Sequence, residues 1–407
     1  MSNRREFLKQ SMKMGAVTAV FPFAEAFGEE MLRDGSQNVD NPMFQPHAAT
    51  EGDTFTVSMR HISAPTISPR RIVVPDVEGY KVLKGDFHIH TLFSDGLVMP
   101  KDRIVEAVEN GLDVISITDH IEYRPYFSPV GKWKLNPEQA NNYNLWYEEA
   151  RGEAEKQNLI LVRGAEVTKS TMGPGHLNVL FTTDNNPVAA AVSDWRKMLQ
   201  TAADQGAFIL WNHPGWEAPK SGGIEKGAPL RFTGDHEEIL KKGILHGIEI
   251  FNHKEYYPVV SDWCNEKDLA LFANSDVHES ELNTYGIQNL SRPMNLILAK
   301  ERTLESIREA FFAKRIVAWA ADILWGRDPW LPALFKASVE MKTITPGTLE
   351  LTNKSSLPVF ISVGGAVIKL SKDVAQQVYC SEKAKTMTVC NWMSGMNQPM
   401  EIALNKQ

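Results

Sequence analysis

Strand-like and helix-like segments alternate through the middle of this chain of 407 residues. Seven short apolar runs have strand character, and helix-like segments separate most of them. The strand-like runs are residues 85–91, 114–120, 159–167, 176–182, 208–213, 247–252 and 270–277. This alternation predicts an α/β fold built from parallel βαβ units. Seven such strands suit a barrel better than an open sheet, although the pattern allows both.

Two of the intervening segments are predicted as helices, of which the first is long. Residues 137–157 follow Asn136 and are polar on one side, and residues 255–267 follow the sixth strand-like run. Each segment lies between two strand-like runs, as a βαβ crossover requires.

The strand-like runs place polar residues on one face and toward one end. In the second run, Ile115 and Ile117 alternate with Ser116, Thr118 and His120. Successive side chains of a strand point to opposite faces, so His120 shares a face with the other polar residues. In a barrel, the apolar phase meets the surrounding helices and the polar phase points inward. Active sites of α/β barrels lie at the carboxyl ends of the strands, where these polar residues occur.

Histidines and carboxylates dominate these inward positions. Two runs supply same-face pairs, His88 with His90 and Asp276 with His278. The full set of candidate ligands is His88, His90, Asp95, His120, Glu166, His176, His213, Asp276 and His278. Imidazole combined with carboxylate suits Zn²⁺, Mn²⁺ or Fe²⁺. The set exceeds the needs of one ion, so we expect two or three divalent ions, with a carboxylate such as Glu166 bridging two of them.

The motifs that carry these residues resemble, in their order, those of the PHP (polymerase and histidinol phosphatase) family. They are His88-Ile89-His90 with Ser94-Asp95-Gly96, Ile117-Thr118-Asp119-His120, Gly164-Ala165-Glu166, Gly175-His176, Asn212-His213-Pro214 and Ser275-Asp276-Val277-His278. The resemblance spans residues 85–317. It implies a distorted (βα)₇ TIM-like barrel with up to three metal ions that hydrolyses phosphoesters.

Longer stretches are similar to a narrower branch, the exported bacterial phosphodiesterases of the Sb-PDE type. These stretches are residues 117–125, 211–216 and 255–258. This similarity implies a phosphodiesterase (EC 3.1.4) that acts on small or organic diesters.

Carried over residue by residue, the PHP resemblance implies three metal sites. The implied ligand sets are His88, His90, Glu166 and Asp276 for the first ion, Glu166, His176 and His213 for the second, and Asp95, His120 and His278 for the third. Asp95 stands where many relatives have a histidine, so the strength of the third site is in doubt.

The expected mechanism is attack on phosphorus by a hydroxide that bridges two metal ions. The leaving group needs an acid, and His278 or His213 is the nearest candidate by motif position, with Glu166 as the bridging ligand.

Substrate-binding residues are less defined by the motifs. Arg124 and Lys169 follow strand ends, where they could bind phosphate oxygens or be solvated loop cations. His253 lies on the inward phase and could contact substrate or be a hydrogen-bonded residue of the barrel mouth. Five aromatic residues could line an apolar wall for an ester group, although ordinary barrel packing would use the same residues and is favoured for most of them: Tyr123, Trp211, Trp216, Tyr256 and Tyr257.

Three other functions compete with the phosphodiesterase. They are a phosphomonoesterase of the histidinol-phosphatase kind, an oligonucleotide exonuclease, and a non-catalytic metal-binding scaffold on a decayed barrel. The net charge of −7 and the lack of a Lys/Arg-rich block argue against long nucleic acids. A decayed scaffold would have lost ligands, whereas each motif keeps its key residue. We therefore expect a small-molecule phosphoester as the substrate.

Residues 1–26 are predicted as an export signal. Arg4-Arg5 followed by Phe7-Leu8-Lys9 resembles the twin-arginine type. A short apolar run precedes the small-residue cleavage site Ala24-Glu25-Ala26. The alternative is an amphipathic N-terminal helix. Export through the twin-arginine machinery implies a periplasmic protein whose mature chain has no membrane span, with residues 27–70 as an extended leader.

The pattern changes after the predicted barrel, which covers residues 71–330. Alternating strands over residues 336–407 predict a small antiparallel β-sandwich. Its Cys380 and Cys390 could form a disulfide in an oxidising compartment or remain free thiols. Four histidines without ligand-like context are expected at the surface: His47, His61, His236 and His246.

Overall fold

The computed structural model describes residues 55–56, 71–126, 137–168, 173–216, 230–288, 290–363, 365–380 and 384–404. The predicted export signal, Lys169, His47, His61 and most of the predicted leader lie outside these residues. Among the described residues, no helix combines the length and the apolar character needed to cross a membrane.

Helices separate many of the strands as far as β12, and in the described residues only strands follow the last helix. The strands are β1 (Phe55–Thr56), β2 (Lys81–Asp86), β3 (Val114–Ile117), β4 (Ile160–Val167), β5 (Leu177–Leu180), β6 (Phe208–Trp211), β7 (Leu245–Asn252), β8 (Glu255–Tyr256), β9 (Ala270–Asn274), β10 (Met294–Ala299), β11 (Ile316–Ala320), β12 (Ile323–Trp325), β13 (Val339–Thr345), β14 (Thr348–Asn353), β15 (Phe360–Val363), β16 (Ala366–Lys369), β17 (Ala375–Tyr379), β18 (Thr386–Gly395) and β19 (Gln398–Ala403). The helices are α1 (Pro100–Glu109), α2 (Pro137–Ala140), α3 (Leu145–Lys156), α4 (Asn186–Ala190), α5 (Trp195–Asp204), α6 (Gly234–Lys241), α7 (Val259–Glu266), α8 (Leu304–Phe312) and α9 (Trp330–Ser338).

Most strands belong to one large sheet with the spatial order β1-β8-β7-β6-β5-β4-β3-β2-β10-β11-β12-β18-β15-β16, and β9 pairs with β7. The pairs β2–β3, β3–β4, β6–β7 and β7–β9 are parallel, which confirms an α/β fold rich in parallel strands. Strand β5 differs from the prediction because it runs antiparallel to both β4 and β6. Residues 168–176, which join β4 to β5, are fewer than the dozen or so residues that a parallel crossover needs.

The carboxyl ends of β2 and β9 lie side by side although these strands are far apart in the sheet order. Ile89 and Val277 form an isolated parallel bridge. The backbone N–H of His90 donates to Val277 at 3.1 Å, and that of Asp276 donates to His88 at 2.8 Å. The sheet therefore curves until the first and last metal-binding motifs of the sequence meet.

One face of these strands is stacked in three layers. The lowest layer is an apolar cluster that includes Val114, Val162, Leu180, Phe208 and Phe272. Two positions nearer the ligand edge on each strand, on the same face, lie Ser116, Gly164, Asn178 and Asn274, which are small or carry an amide, and the apolar Leu210. The third layer carries the candidate ligands. The polar phase predicted for the inner face therefore occupies mainly the half of the strands at the ligand edge, which is the carboxyl half in the parallel strands and the amino half in β5, and apolar residues fill the other half.

The C-terminal strands divide between two sheets. Strands β13, β14 and β17 form a small antiparallel sheet, as the alternating sequence predicts. Strand β18 instead pairs in parallel with β12, so that the large sheet continues into the C-terminal segment. The strands predicted to form a separate sandwich are therefore joined to the main body by backbone hydrogen bonds.

The helices predicted over residues 137–157 and 255–267 are both shorter than expected. The segment 137–157 contains two helices, α2 and α3. Between them, side chains take up the backbone N–H groups, because Tyr143 donates to Asn186 Oδ1 at 2.7 Å and Asn144 donates to Asn142 Oδ1 at 2.9 Å. Asparagine side chains compete with helical hydrogen bonds in this way. Residues 255–256 form strand β8, and helix α7 begins only at Val259.

The surface position predicted for His236 is wrong. Its ring is fully buried and stacks on Trp211 with centroids 3.6 Å apart. Its Nε2 donates to the Pro174 carbonyl at 2.7 Å. His246 is half-buried, and its Nδ1 accepts from the backbone N–H of Ile209 at 3.0 Å. The sequence pattern does not reveal the burial of either ring, because burial of an imidazole depends on hydrogen bonds and stacking with residues distant in the chain.

The thiols of Cys264, Cys380 and Cys390 are free. A disulfide between Cys380 and Cys390 is therefore absent from the structure, which agrees with the alternative of two free thiols.

Candidate metal centre

The predicted ligands come together at one edge of the curved sheet. Those that follow β2, β3, β6 and β9 arrive there because the carboxyl ends of parallel strands share an edge. Glu166 lies within β4, near its carboxyl end. His176 directly precedes β5, and because β5 is antiparallel, its amino end reaches the same edge. The antiparallel direction of β5 therefore brings His176 to the other candidate ligands.

Glu166 lies at the centre of the cluster and offers its two oxygens to different imidazoles. Oε1 is 3.0 Å from His176 Nδ1 and 3.3 Å from His213 Nε2. Oε2 is 3.2 Å from His90 Nε2 and 3.1 Å from His120 Nδ1. A carboxylate with this arrangement can bridge two cations.

Four overlapping groups of side chains could hold a metal ion, with the ligand atoms of each group within 4.8 Å of one another. They are His90, Asp95, His120 and His278; His88, His213 and Asp276; His88, His90 and Glu166; and Glu166, His176 and His213. The last group equals the second predicted ligand set, and the first is the third predicted set with His90 added. The first predicted set is divided between the remaining two groups.

The donor atoms around His88 fit a cation. His88 Nδ1 lies 2.9 Å from Glu249 Oε1, a hydrogen bond in which only the imidazole can donate. In the neutral ring, Nε2 then carries a lone pair, which faces His90 Nε2 at 3.1 Å and Asp276 Oδ1 at 3.2 Å. Asp276 Oδ1 and Glu166 Oε2 are buried and make no hydrogen bond with the described residues. Nitrogen and oxygen lone pairs that converge in this way suit a divalent metal.

The pKa values of the buried imidazoles point the same way. Burial by itself lowers the pKa of His88, but the charges of Asp276, Glu249 and Glu166 outweigh burial and raise it well above its usual value. For His90, the neighbouring carboxylates of Asp276 and Glu166 overcome the effect of burial and raise the pKa to about 9. In the metal-free protein, the raised pKa values favour the protonated forms of His88 and His90. Metal binding must then release protons from these rings.

The carboxylates show the converse effect. Burial raises the pKa of Glu166, but the neighbouring rings of His120, His88 and His176 lower it well below its usual value. The pKa of Asp276 is likewise held well below its usual value by His88, His90 and His278, against the effect of burial. Both groups are therefore ionised and available as ligands at neutral pH.

Comparison with known proteins agrees with this geometry. The family model of the PHP domain matches residues 86–208. A two-domain protein from Bacteroides vulgatus ATCC 8482 contains a predicted PHP-like metal-dependent phosphoesterase. Its crystal structure is 31% identical in sequence, has a TM-score of 0.74, and the match covers 84% of this chain and 99% of that one. This chain belongs to the PHP family. Family membership and the His/Asp/Glu cluster support a metal-dependent hydrolase of phosphoesters.

Two other solved structures are too dissimilar to support a conclusion about this chain. A candidate metal-dependent phosphoesterase from Bifidobacterium adolescentis ATCC 15703 is 13% identical, with a TM-score of 0.35 and coverage of 48% of this chain and 88% of that one. An amidohydrolase from Chromobacterium violaceum, with bound sulfate and no metal, is also 13% identical, with a TM-score of 0.35 and coverage of 57% and 97%. No curated protein matches the chain in sequence.

Two buried arginines hold the PHP motifs in place. Arg103 of α1 donates to the carbonyl oxygens of His90 at 2.9 Å and His278 at 2.8 Å. Arg292 donates through Nε to Asp86 Oδ2 at 2.9 Å, and both side chains are fully buried. The sequence did not indicate these roles, because an arginine on an amphipathic helix or in a loop is typical of a solvated surface.

Two ligand positions, His213 and Asp276, and the predicted substrate-binding residue His253 have unusual backbone conformations. The φ angles of His213, His253 and Asp276 are 23°, 54° and 48°. Such angles cost non-glycine residues on the order of 1–3 kcal/mol each and persist only where surrounding contacts enforce them. Their occurrence at the cluster is consistent with a functional site.

The predicted substrate-binding residues lie in different surroundings. The Arg124 guanidinium donates to the carbonyls of Phe93 at 3.2 Å and Ala140 at 2.9 Å, so part of its hydrogen-bonding capacity is used within the protein. His253 is half-buried beside Tyr285, with ring centroids 6.1 Å apart, and burial lowers its pKa. Lys169 lies outside the described residues.

Two exposed aromatic rings border the cluster. Tyr123 is 44% exposed and lies beside His120, with ring centroids 6.3 Å apart. Trp216 is 56% exposed and lies 5.5 Å from the His213 ring. Glu255 Oε2 accepts a 2.7 Å hydrogen bond from the Trp216 indole and thus fixes its position.

Proposed function

We propose that this PHP protein is a metal-dependent phosphodiesterase acting on small or organic phosphodiesters with two or three divalent ions. The observation that carries the proposal is that Glu166 offers one oxygen to each of two groups of imidazoles. When bound, two divalent ions sharing a carboxylate would activate water and neutralise the charge that develops on the phosphoryl oxygens. Zn²⁺, Mn²⁺ and Fe²⁺ all suit this mixture of donors.

The four groups described above would hold these ions. His278 is the better of the two candidate acids because its side chain is 38% exposed, whereas that of His213 is 4% exposed. The His278 Nδ1 donates to the Asp276 carbonyl at 2.9 Å, which orients the ring. His278 can act as this acid when the group that it forms with His90, Asp95 and His120 holds no ion, because Nε2 then carries a proton instead of a metal ion; Nε2 lies 3.3 Å from Asp95. From there it can protonate a leaving oxygen at the open side of the cluster.

The preference for a diester rests on the exposed aromatic rings. Tyr123 and Trp216 border the cluster beside different histidines, His120 and His213. Two apolar surfaces suit a substrate with two ester groups better than a monoester, which has one. The same rings suit the organic diesters of the Sb-PDE-type branch, to which we assign the protein. The parallel bridge between the β2 and β9 ends supports closure of residues 71–330 into a distorted (βα)₇ barrel.

We also propose that the protein is exported. The sequence features that support this are the paired arginines at Arg4-Arg5, the short apolar run and the small-residue cleavage site. Passage through the twin-arginine machinery would place the folded enzyme in the periplasm.

Substrate preference tests the proposed activity. The protein is loaded with Zn²⁺, Mn²⁺ or Fe²⁺ and assayed with bis(p-nitrophenyl) phosphate and with p-nitrophenyl phosphate. We expect kcat/KM for the diester to be higher. Glu166→Gln should lower the activity at least about a hundredfold, because the charge that draws the ions together is lost. Glu309→Gln, on α8 and paired with Arg315, is the control and should have no effect.

Other results would favour the competing functions. A higher kcat/KM for the monoester would contradict the diester assignment and favour a phosphomonoesterase. Bound metal without turnover of either ester would contradict the proposed enzymatic activity and favour a non-catalytic metal-binding scaffold.

A further inference from the structure

A fully buried carboxylate lies next to the metal centre and takes no part in the proposed mechanism. Glu249 belongs to β7 and is absent from the four groups that could hold a metal. Burying a carboxylate is costly unless hydrogen bonds compensate it. Its surroundings therefore indicate what the side chain does.

The two oxygens of Glu249 have separate tasks. Oε1 accepts from His88 Nδ1 at 2.9 Å and from the Asn274 amide at 2.8 Å. Oε2 accepts from the backbone N–H of His213 and from the Asn252 amide, both at 2.8 Å. Both oxygens thus accept from donors that are themselves fixed in the fold.

These contacts reach every part of one metal-binding group, the one formed by His88, His213 and Asp276. Glu249 orients the His88 ring directly. It holds the backbone of His213, whose φ of 23° needs enforcement. Through Asn274 it fixes the end of β9, two residues before Asp276. Among the described residues, no hydrogen bond joins Glu249 to Asp95, His120 or His278, which belong to another group.

The bond to His88 also determines which nitrogen can bind a metal. A carboxylate only accepts, so Nδ1 must carry the proton and Nε2 must carry the lone pair. Metal-binding histidines are commonly oriented in this way by a carboxylate on their other nitrogen. A glutamine at position 249 would replace one oxygen with an NH₂ group, which would face either the His88 side or the His213 side. In either orientation, the NH₂ group would face groups that also donate, so the hydrogen bonds on that side would be lost.

We propose that Glu249 is a positioning residue that sets the metal affinity of the group formed by His88, His213 and Asp276. The inference rests on the proposed function, because it requires the cluster to bind metal. It adds a residue outside the PHP motifs on which occupancy of one particular group depends.

Metal affinity in Glu249→Gln tests the inference without relying on activity. The wild-type protein and the variant are titrated with Zn²⁺ against a competing chelator, and bound metal is counted by elemental analysis. We expect ions held through His88 or His213 to bind about 10–100-fold more weakly in the variant, the usual effect of removing such a partner, whereas an ion held by His90, Asp95, His120 and His278 is retained. Asp262→Asn is the matched control. It removes a carboxylate that accepts a backbone N–H, that of Met396 at 2.8 Å, away from the cluster.

Three results of the titration would overturn the inference. Unchanged affinity in Glu249→Gln would do so while leaving the proposed function intact. Equal weakening of every ion, or the same loss in Asp262→Asn, would mean that the effect is a general loss of structure. A wild-type protein that binds no metal would overturn the proposed function as well.

A measurement on the wild-type protein covers the case in which Glu249→Gln does not fold. Nitrogen-15 labelling of the histidines shows by NMR which ring nitrogen carries the proton, and His88→Gln assigns the resonance. We expect His88 to be protonated at Nδ1 and to bind Zn²⁺ through Nε2. The opposite arrangement would overturn the inference.

Discussion

Replacing Arg292 with methionine should destabilise the protein and loosen the metal centre together. Arg292 Nη2 lies 2.8 Å from Asp86 Oδ2, and both side chains are fully buried. Asp86 Oδ1 also accepts the backbone N–H groups of His88 at 3.3 Å and Ser275 at 3.1 Å. The pair therefore anchors two strands at the positions where their metal-binding motifs begin.

The expected magnitude follows from burial. Removing one partner of a buried ion pair leaves an uncompensated charge and costs about 3–5 kcal/mol. Arg292→Met should lower the free energy of unfolding by that amount, and Asp86→Asn should have a similar effect. Because the double variant leaves no unpaired charge, its loss should be smaller than the sum of the single losses by about 2–3 kcal/mol.

Urea denaturation of the metal-free protein, followed by tryptophan fluorescence, measures these three variants. Metal-free conditions separate the stability of the fold from metal binding. A loss below about 1 kcal/mol for Arg292→Met would refute the reasoning, as would additive losses in the double variant.

Three further predictions concern single side chains. Burial lowers the pKa of His246 from 6.5 to about 4. The unfolded chain therefore takes up this proton first, and stability falls as pH decreases from about 6.5 to 4. After allowance for partial exposure of the ring, the fall is up to about 2 kcal/mol, and urea denaturation of His246→Gln should lack this part. Gly96→Ala would place a Cβ 2.6 Å from the His90 backbone. It should cost about 1–3 kcal/mol, and an unchanged urea midpoint would contradict this. Trp216→Ala should raise KM for bis(p-nitrophenyl) phosphate about 3–10-fold at an unchanged metal count, and unchanged KM would contradict the aromatic contact.

The sequence predicted the candidate ligands because they repeat one pattern. Each lies in a short motif at or near a strand end, as in His88-Ile89-His90. Parallel strands bring such ends together wherever the strands lie in the sheet. The convergence of these residues could therefore be expected before any geometry was known.

Other features depend on contacts that no local pattern encodes. Glu249 lies two residues beyond Gly247 on the same face of β7, so its inward direction was readable from the sequence. Its contact with His88 was not, because it joins strands distant in the chain. The direction of β5 depends on the length of a loop, and the burial of Arg103 and Arg292 depends on carbonyls and carboxylates supplied by distant segments.

The central claim is that several metal ions share Glu166, and a count of metals per chain tests it most directly. The purified protein is loaded with Zn²⁺, Mn²⁺ or Fe²⁺, freed of excess metal and analysed for its elements, beside Glu166→Gln. We predict at least two ions per wild-type chain and the loss of at least one in the variant, because Glu166 contributes to two of the binding groups. Fewer than one ion per wild-type chain, or an equal count in the variant, would contradict the account.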